Sequence, residues 1–509
     1  MAATPAGGAL VRDGEGDALP SLGQRFDVGP MLGEGADAKV YIATVLHDED
    51  KRAWGTDTVA LKVLELGEYT GAAAKQTRVV VNREAARMRR VAAFFLRLRH
   101  RNVVRLFEAA PARMGDKRVL ALVLEYAPHG ELFGHVIDHG GFPDIVARSY
   151  FRALMDGLAH LHYRHRVVHR DLKPENILLG KDWVLKIADL GYAKQLASSS
   201  ELLRTKLGTD YYKAPELYGP ADAYYAGRPI DVWSCGVILF AMLGINFPCE
   251  YACYPDPWFA YLSKGMWHEF WLYWREEVHD VAPGGGDDPW VGEVPPWSAS
   301  DEEVVAYIRR HESELHGRVR GKPVFSYPAV SLLSRMLTVD PARRITVEAI
   351  VRHPWLTELP CLDDATLAAF MGNQQPNLDS GAVLPPIRIV HADSAEATKD
   401  ALASATASDV AAALSPLSLI SPTARRGGGS SSSSGGAKGG SSRAISVNDT
   451  GAAAGVVVEG GAAAGKRVSA LSAASATSAG SAGSADPAKA DYPSGVSMVV
   501  GSSGENEAG

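Results

Sequence analysis

Residues 169–176 read HRDLKPEN, and a DLG triplet at 189–191 begins thirteen residues after the last of them. Phosphoryl transfer needs a carboxylate to orient the attacking hydroxyl, oxygen ligands for magnesium, and cations that offset the charge of the moving phosphoryl group. The stretch and the triplet supply these residue types at Asp171, Lys173, Asn176 and Asp189. They therefore indicate phosphoryl-transfer chemistry, and the alternative is an ordinary polar loop with a bound carboxylate.

The same stretch resembles the catalytic loop of eukaryotic protein kinases, and its KPEN ending resembles the serine/threonine branch of that family. The resemblance implies that Asp171 is the catalytic base and that Lys173 contacts the γ-phosphate of ATP. It also implies that Asn176 and Asp189 are the magnesium ligands. The implied fold is α+β and two-lobed, with a small β-rich lobe that carries one main helix and a larger, mostly helical lobe.

Composition and charge exclude several other classes. The 509 residues carry a net charge of −7, so neither nucleic acid nor a membrane surface is an expected partner. No run of about 18 apolar residues predicts a membrane-spanning helix. The N-terminal stretch carries several acids and resembles neither a signal peptide nor a transit peptide.

The four cysteines have no CxxC spacing and predict no disulfide framework. Cys249 and Cys253 could form half of a metal site, but no second pair completes it, and reduced thiols are the alternative. Reduced thiols favour a cytoplasmic or nuclear location. We also expect the chain to be a monomer.

Composition divides the chain into three parts. Residues 1–24 are rich in glycine, alanine and aspartate and are predicted to be flexible. Residues 25–357 contain short apolar runs and helical stripes, and only this part can bury a sizeable core. In residues 358–509 large apolar residues are too sparse to offset chain entropy, which predicts a disordered tail rich in alanine, glycine and serine.

The kinase resemblance divides the middle part into a small lobe, residues 25–125, and a large lobe, residues 126–357. An insertion is expected in the large lobe at about 275–325, and the Trp-rich segment 251–298 overlaps it. The aromatic residues at 267, 270, 271 and 274 have helical spacing, which indicates either a buried core or a docking patch for a partner.

Residue patterns also predict individual elements. Apolar runs at 59–61 and 122–124 predict buried strands. Over residues 143–164 apolar positions recur every three and four residues, which predicts a helix with Pro143 in its first turn.

A glycine-containing segment, LGEGADAKV at 32–40, lies between two strand-like segments. Glycines allow a hairpin to approach triphosphate oxygens and donate N–H groups to them, although the residues alone leave a plain turn as the alternative. Ala38 stands where the kinase loop usually has its third glycine. The VALK motif at 59–62 resembles the third-strand lysine motif of kinases, so Lys62 is expected to hold ATP phosphates.

The resemblance implies a set of nucleotide contacts around this segment. Backbone groups of Glu125 and Ala127 would hydrogen-bond adenine, and Leu124 would guard the back of the pocket. Three apolar side chains, those of Val40, Ala60 and Leu178, would enclose the ring. The full set of expected ATP contacts is Leu32, Gly33, Gly35, Val40, Ala60, Lys62, Glu125, Ala127 and Leu178.

Lys62 should pair with an acid on the helix of the small lobe. Glu84 is the only acidic residue between 77 and 107 and is assigned this role. Sixteen residues separate Glu84 from His100. That spacing is about seven residues longer than in such kinases, which is close to two helical turns and would keep Glu84 on the same helix face. The alternative is that the extra residues move Glu84 out of reach.

The APE motif at 214–216 ends a segment that resembles a kinase activation segment. Within it, Thr205 matches an activation-loop phosphorylation site, and Arg170 supplies a cation for that phosphate. An upstream activating kinase is therefore an expected partner. Taken together, the motifs resemble the calcium/calmodulin-dependent and AMP-activated-like kinase group.

The resemblance implies three further contacts within the large lobe. Thr209 is expected to bridge the catalytic base and the lysine two residues after it. Asp231 is expected to brace the catalytic loop. Arg344 is expected to pair with Glu216.

Two acids bear on substrate choice. Glu131 and Glu175 match residues that, in many such kinases, receive a basic side chain of the substrate. This favours substrates with an arginine about three residues upstream of the target hydroxyl. Solvated surface acids are the alternative.

The sequence thus predicts an ATP- and magnesium-dependent protein serine/threonine kinase that acts on protein substrates. A pseudokinase scaffold is one alternative, but it would lack a residue among Lys62, Asp171, Asn176 and Asp189. An enzyme of the same fold that acts on small molecules is another, but the APE motif and Thr209 shape a groove for a peptide.

Overall fold

The structure is a computed structural model that describes residues 19–35, 38–66, 95–279, 293–311, 315, 325–373, 381–385 and 387–392. These residues form a small lobe built on one sheet and a larger, mainly helical lobe. None of the helices in these ranges is both long enough and apolar enough to cross a membrane.

The small lobe is a five-stranded antiparallel sheet with strand order β1-β2-β3-β5-β4. The strands are β1 (Phe26–Glu34), β2 (Lys39–Val45), β3 (Thr58–Glu65), β4 (Leu106–Met114) and β5 (Lys117–Glu125). The predicted strands at 59–61 and 122–124 lie in β3 and β5, which pair with Leu61 opposite Val123. Trp54 of α2 (Asp48–Trp54) packs against the core. Alternate residues of β3 and β5 are buried in this core: Val59, Leu61, Val63, Val119, Ala121 and Val123.

The small lobe begins before the predicted boundary at residue 25. A short helix, α1 (Leu22–Arg25), leads into β1, and Leu22 is buried in the core of the sheet. The Pro20 carbonyl accepts a hydrogen bond from the Arg113 amide at 2.9 Å. The prediction of a flexible N-terminal stretch is therefore wrong for residues 19–24, because a buried leucine and a backbone hydrogen bond fix them. Residues 1–18 lie outside the described part of the chain.

In its described residues the large lobe combines helices with three short two-stranded ribbons. Its helices are, in chain order, α3 (Leu132–Asp138), α4 (Asp144–Ala159), α5 (Gly227–Gly244), α6 (Pro257–Lys264), α7 (Trp267–His279), α8 (Asp301–Arg310), α9 (Tyr327–Met336), α10 (Val347–Ile350), α11 (Pro354–Thr357) and α12 (Asp364–Met371). The ribbons pair β6 (Val167–Val168) with β9 (Lys194–Gln195), β7 (Ile177–Leu179) with β8 (Leu185–Ile187), and β10 (Leu202–Leu203) with β11 (Tyr225–Ala226).

The predicted helix over 143–164 is α4 followed by a π-helical turn, His160–Arg164. Pro143 precedes the helix as its N-cap residue and does not lie in the first turn, because its ψ of 148° is extended. Asp144 takes the first helical position, and its carboxylate accepts hydrogen bonds from the Ser326 hydroxyl and the Trp355 indole, both at 3.1 Å.

Three of the four helically spaced aromatic residues in the Trp-rich segment belong to the core. Phe270, Trp271 and Trp274 of α7 are buried against Phe240 of α5. The Trp271 indole donates a hydrogen bond to the Ser334 hydroxyl at 2.9 Å. Burial rather than docking therefore applies to three of the four aromatic positions, and the side chain at 267 is half-buried.

The described residues after 357 are folded, in contrast to the predicted disordered tail. Cys361 and Ala382 exchange two backbone hydrogen bonds of 2.9 Å, and the Ala392 amide donates to the Tyr163 carbonyl at 2.6 Å. The prediction is therefore wrong for the described residues between 358 and 392. The low average hydrophobicity of the long tail concealed a short segment whose large apolar side chains are buried: Leu359, Leu362, Leu367 and Met371.

We predict that residues 19–392 unfold at the same temperature as the full chain, whereas a chain ending at residue 358 unfolds at a lower temperature. The shorter chain loses Leu362, Leu367 and Met371, and burying such a side chain contributes about 1.5–3 kcal/mol. Thermal unfolding followed by circular dichroism measures the difference. Equal midpoints for the two truncated chains would show that the segment adds no stability.

Three histidines make the fold sensitive to acid: His353 is buried, and His160 and His165 are half-buried. Burial lowers the pKa of His160 to about 2, of His353 to about 3 and of His165 to about 4. A histidine in the unfolded chain has a pKa of about 6.5. Below that pH the unfolded state binds protons that the folded state does not, so the free energy of unfolding falls as the pH falls. Each histidine contributes up to about 1.4 kcal/mol per pH unit.

Urea unfolding between pH 8 and pH 5 tests this sensitivity, with stability expected to decline from about pH 6.5 downward. In the variant His160→Leu the free energy of unfolding should depend on pH less steeply, by about one bound proton, because leucine does not titrate. Leucine leaves no partner unpaired, since the buried Nε2 of His160 has no hydrogen-bond partner among the described residues. An unchanged slope in His160→Leu would contradict the assignment.

Candidate active site

A buried carboxylate holds the catalytic loop. Asp231 of α5 is 1% exposed. Its Oδ2 accepts hydrogen bonds from the His169 amide and from His162 Nε2, and its Oδ1 accepts one from the Arg170 amide, all at 2.8 Å. Burial alone would raise the pKa of Asp231, but the bond from His162 and the neighbouring donors outweigh it and hold the pKa below its ordinary value. The ionised carboxylate fixes Arg170 at φ 67°, a left-handed conformation that is strained for this residue type.

The structure brings the predicted base together with three predicted partners. Asp171 is buried, and its Oδ1 accepts a hydrogen bond from the Thr209 hydroxyl at 3.2 Å. Lys173 Nζ donates to the same hydroxyl at 3.2 Å and lies 3.5 Å from Asp171 Oδ2. Asn176 Nδ2 donates to the Asp171 carbonyl at 2.7 Å. Because a carboxylate offers about four acceptor positions, Asp171 can still accept a hydrogen bond from an incoming hydroxyl.

Asn176 and Asp189 fit the requirements of a magnesium site. The Ala188 amide donates to the Asn176 carbonyl at 2.8 Å, which places the two residues side by side. The amide nitrogen of the Asn176 side chain is committed to Asp171, so its oxygen is the atom left for a cation. Amide and carboxylate oxygens are the ligands that magnesium prefers. Burial alone would raise the pKa of Asp189, but Lys62 and the Gly191 amide outweigh it, so the carboxylate stays charged.

Lys62 of β3 joins the two lobes. Its Nζ lies 2.7 Å from Asp189 Oδ1, and its side chain is 16% exposed. The structure therefore places the predicted phosphate-binding lysine on a predicted metal ligand. Glu84, the predicted helix partner of Lys62, lies outside the described residues, so that pair stays a prediction.

The glycine-containing segment forms the hairpin between β1 and β2. Leu32 and Gly33 lie at the end of β1, and the Gly35 amide donates to the Ala38 carbonyl at 2.9 Å. Residues 36 and 37 lie outside the described part. No described atom lies within 4 Å of the position that a Cβ on Gly33 would take, so packing does not demand glycine there. The open space at Gly33 is compatible with an approaching triphosphate, and the nucleotide contacts of this segment stay a prediction.

The predicted adenine contacts come from three strands and the segment after β5. Val40 is half-buried on β2, Ala60 is buried on β3, and Leu178 is half-buried on β7. Leu178 also forms an isolated antiparallel β-bridge with Glu131, which precedes α3. Strand pairing therefore positions all three apolar side chains, and Leu124 is half-buried opposite Ala60.

Glu125 can offer adenine only its carbonyl. Its amide donates to the Arg105 carbonyl at 2.8 Å, and an N–H group has a single proton. Its carboxylate accepts the Arg105 amide at 3.1 Å and lies 2.5 Å from Lys186 Nζ. The expected backbone contact of Glu125 stays a prediction and would use its carbonyl as the acceptor. The Ala127 carbonyl accepts the Gly130 amide at 3.3 Å, which forms the turn that follows.

The structure links the predicted regulatory residues through a tyrosine. Thr205 is exposed, and its carbonyl accepts a hydrogen bond from the Tyr225 hydroxyl at 2.6 Å. Burial raises the pKa of Tyr225, and the nearby charge of Arg170 opposes that rise. The Arg170 Nε donates to the Tyr192 carbonyl at 2.8 Å. A change in charge at Thr205 would therefore occur close to a group that also lies near Arg170.

The end of the activation segment is tied to the large lobe by a buried arginine. Arg344 donates to both carboxylate oxygens of Glu216, at 2.8 and 2.9 Å. It also donates to the Pro229 and Thr338 carbonyls, and its guanidinium lies over the Trp233 ring. A bidentate pair with this many further bonds is rigid.

Two residues at the site escaped the sequence analysis. His162 holds Asp231, and its only sequence signal is a histidine among buried apolar neighbours seven residues before His169. Lys186 holds Glu125 from the middle of β8, where a single lysine between Leu185 and Ile187 looks like an ordinary edge residue.

The sequence matches the family described as protein kinase domain over residues 26–356. It is 34% identical over 302 residues to CBL-interacting serine/threonine-protein kinase 24 of Arabidopsis thaliana, which covers 55% of this chain and 60% of that protein. It is 30% identical over 333 residues to CBL-interacting protein kinase 32 of Oryza sativa subsp. japonica, which covers 65% and 58%. It is 30% identical over 337 residues to sucrose non-fermenting protein kinase 1 of Fusarium virguliforme, which covers 66% and 37%.

The chain spans less than two thirds of the length of each of these relatives. The matches confirm the predicted two-lobed α+β fold and the resemblance to the serine/threonine branch near the AMP-activated-like group.

Proposed function

The chain belongs to the protein kinase family, and from this premise we propose that it is an ATP- and magnesium-dependent protein serine/threonine kinase. The reaction would transfer the γ-phosphoryl group of ATP to a serine or threonine hydroxyl of a protein substrate. The observation that carries this proposal is the cluster in which Asp171 is hydrogen-bonded by Thr209 and approached by Lys173, beside Asn176.

The proposed mechanism assigns one role to each group. Asp171 orients the substrate hydroxyl and takes its proton as the hydroxyl oxygen bonds to the γ-phosphorus. The bond between that phosphorus and the bridging oxygen breaks, and the oxygen leaves with ADP. Lys173 offsets charge on the group in transfer. When bound at Asn176 and Asp189, magnesium would supply further charge neutralisation.

Lys62 changes partner in this proposal. In the structure its ammonium lies 2.7 Å from Asp189, a carboxylate that is also proposed as a metal ligand. With nucleotide bound, Lys62 would face phosphate oxygens and Asp189 the cation, so each charge keeps an opposite charge nearby. The existing pair thus keeps both residues oriented toward the space where the phosphates would lie.

Two acids support a preference for basic substrates. The pKa of Glu131 is raised by burial and by the like charge of Glu175, while Lys173 acts in the opposite direction. A cation from the substrate would relieve this repulsion. We therefore propose an arginine about three residues upstream of the target hydroxyl, where a bidentate guanidinium can meet a carboxylate.

Neither alternative function is favoured by the geometry. A pseudokinase scaffold would not need Thr209 between Asp171 and Lys173. An enzyme for small molecules would not need the rigid anchor of Glu216 on Arg344 at the end of a peptide-binding segment.

For the location of the protein in the cell we propose the cytoplasm or nucleus, because Cys235, Cys249 and Cys361 are buried free thiols.

We predict that Asp171→Asn lowers kcat for a basic peptide by a factor of about 10² or more, because the amide cannot take the proton. ATP affinity and the unfolding temperature should stay close to those of the unsubstituted chain. The matched control, Asp116→Asn, changes an exposed aspartate in the turn between β4 and β5. Undiminished peptide phosphorylation by Asp171→Asn would remove Asp171 from the mechanism.

Regulation by phosphorylation is proposed at Thr205. A phosphate there adds about −1.5 to −2 charge and strong acceptors, which can recruit Arg170 and order the segment. We predict that phosphorylation raises peptide-kinase activity and that Thr205→Ala is slow and insensitive to activating kinases. Asp210, five residues later, could supply part of the negative charge and reduce the effect.

Phosphatase treatment, mass mapping of residue 205 and a peptide assay test the switch together. Ser199→Ala removes another exposed hydroxyl of the same segment and is the control. Full activity in protein shown to carry no phosphate at residue 205 would contradict the switch without affecting the kinase assignment.

A further inference from the structure

Two described segments pass between the sheet of the small lobe and the large lobe, residues 102–106 and residues 125–131, and we call them the interlobe pivot. They lie side by side. The Glu125 amide donates to the Arg105 carbonyl at 2.8 Å, and the Arg105 amide donates back to Glu125 Oε2 at 3.1 Å. A shift in one segment therefore moves the other.

The first pivot segment is bound to the β7–β8 ribbon. The Val104 amide donates to the Ile187 carbonyl at 2.9 Å, and the Ile187 amide donates to the Asn102 carbonyl at 2.8 Å. Asn102 Nδ2 also donates to the Leu185 carbonyl at 2.9 Å. Because Asp189 follows Ile187 by two residues, the pivot and the proposed metal ligand share one short piece of backbone.

The second pivot segment rests on the turn of the same ribbon. The His129 ring stacks on Trp183, with centroids 3.7 Å apart and planes 9° apart. The His129 amide donates to the Leu179 carbonyl at 3.1 Å. Both segments of the pivot are therefore seated on residues 177–187.

Helix α12 packs against this arrangement. It follows the family-matched region in the sequence, which ends at residue 356. It packs against the turn at 181–183. Arg101, next to Asn102, donates to Asp364 of α12 at 2.8 Å. Phe370 of α12 stacks on His139, with ring centroids 4.9 Å apart. The His139 ring is hydrogen-bonded to the His135 carbonyl at 2.7 Å, and the His135 ring to the carbonyl of His129 in the second pivot segment at 2.8 Å.

We propose that α12 is a positioning element for the nucleotide site, with Asp364 and Phe370 as its positioning residues. It holds the pivot and the β7–β8 ribbon together, and through them it sets the distance between Lys62 of the small lobe and Asp189 of the large lobe. This inference rests on the proposed function, since its effect is on the binding of ATP. Loss of the α12 contacts would loosen ATP binding without removing any group that touches the reacting atoms.

The Arg101–Asp364 pair is well suited to separate this role from general stability. The two side chains are 54% and 64% exposed. Exposed pairs contribute little to the free energy of unfolding. An effect on ATP binding from this pair would therefore report on positioning and not on loss of fold.

Steady-state kinetics of the full chain with a basic peptide test the proposal. Phe370→Ala should raise KM for ATP about fivefold (about 1 kcal/mol at 1.4 kcal/mol per tenfold) with kcat at saturating ATP nearly unchanged. Arg101→Asp and Asp364→Arg should each raise it about twofold to fivefold. The double variant Arg101→Asp/Asp364→Arg, which restores opposite charges, should return KM toward that of the unsubstituted chain.

His391→Ala is the matched control, because it removes a contact of the same C-terminal segment, the ion pair with Glu348, away from the pivot. KM for ATP should not change in this variant. Unchanged or lowered KM in the single charge variants would overturn the proposal, as would a rise that the double variant fails to reverse. If Phe370→Ala does not fold, the charge series decides alone. An unsubstituted chain that phosphorylates no peptide would instead contradict the proposed function.

Discussion

The contact between the buried Asp231 carboxylate and the catalytic loop is the constraint on which the site depends. Placing a charge in the interior is costly unless hydrogen bonds replace the lost water. Asp231 receives donors from the two amides of His169 and Arg170 and from His162, so the cost is offset. The same bonds hold Arg170 in a left-handed conformation, and that conformation directs the next residue, Asp171, toward Thr209.

Helix α5 carries this constraint to two separate parts of the site. It carries Asp231 and is buried along nearly its entire length, so it cannot shift without disturbing the core. Its start also supplies the Pro229 carbonyl and the Trp233 ring that hold Arg344, which in turn fixes Glu216. The catalytic loop and the end of the proposed activation segment are therefore both held by one rigid helix.

The sequence predicted those parts of the fold and site that depend on local residue patterns. The HRDLKPEN stretch places the residue types of the site at a fixed spacing, and a buried strand such as that at 59–61 is visible as an apolar run. Contacts between distant residues were predicted only where the kinase resemblance implied them, as for Arg344 with Glu216. The commitment of the Glu125 amide to Arg105 depends on how two separate segments meet.

The C-terminal boundary was missed for a different reason. Composition averages over a long segment, whereas folding depends on whether a few large apolar residues can pack against an apolar surface of the large lobe. Leu367 and Met371 do so on an eight-residue helix within an alanine-rich, glycine-rich and serine-rich tail. Such a helix is too short to be stable alone, so its existence depends on the large lobe against which it packs.

The Lys62–Asp189 ion pair shows why the geometry between lobes matters for chemistry. Lys62 belongs to the sheet of the small lobe, and Asp189 follows a strand of the large lobe. Coulomb attraction falls with distance, and for a partly exposed pair it is screened by water as soon as the cleft opens. The two charges can act on one nucleotide only if both lobes keep a narrow range of separations. That range is set where the lobes meet, at Asn102, Arg105 and Glu125, and not at the charges themselves.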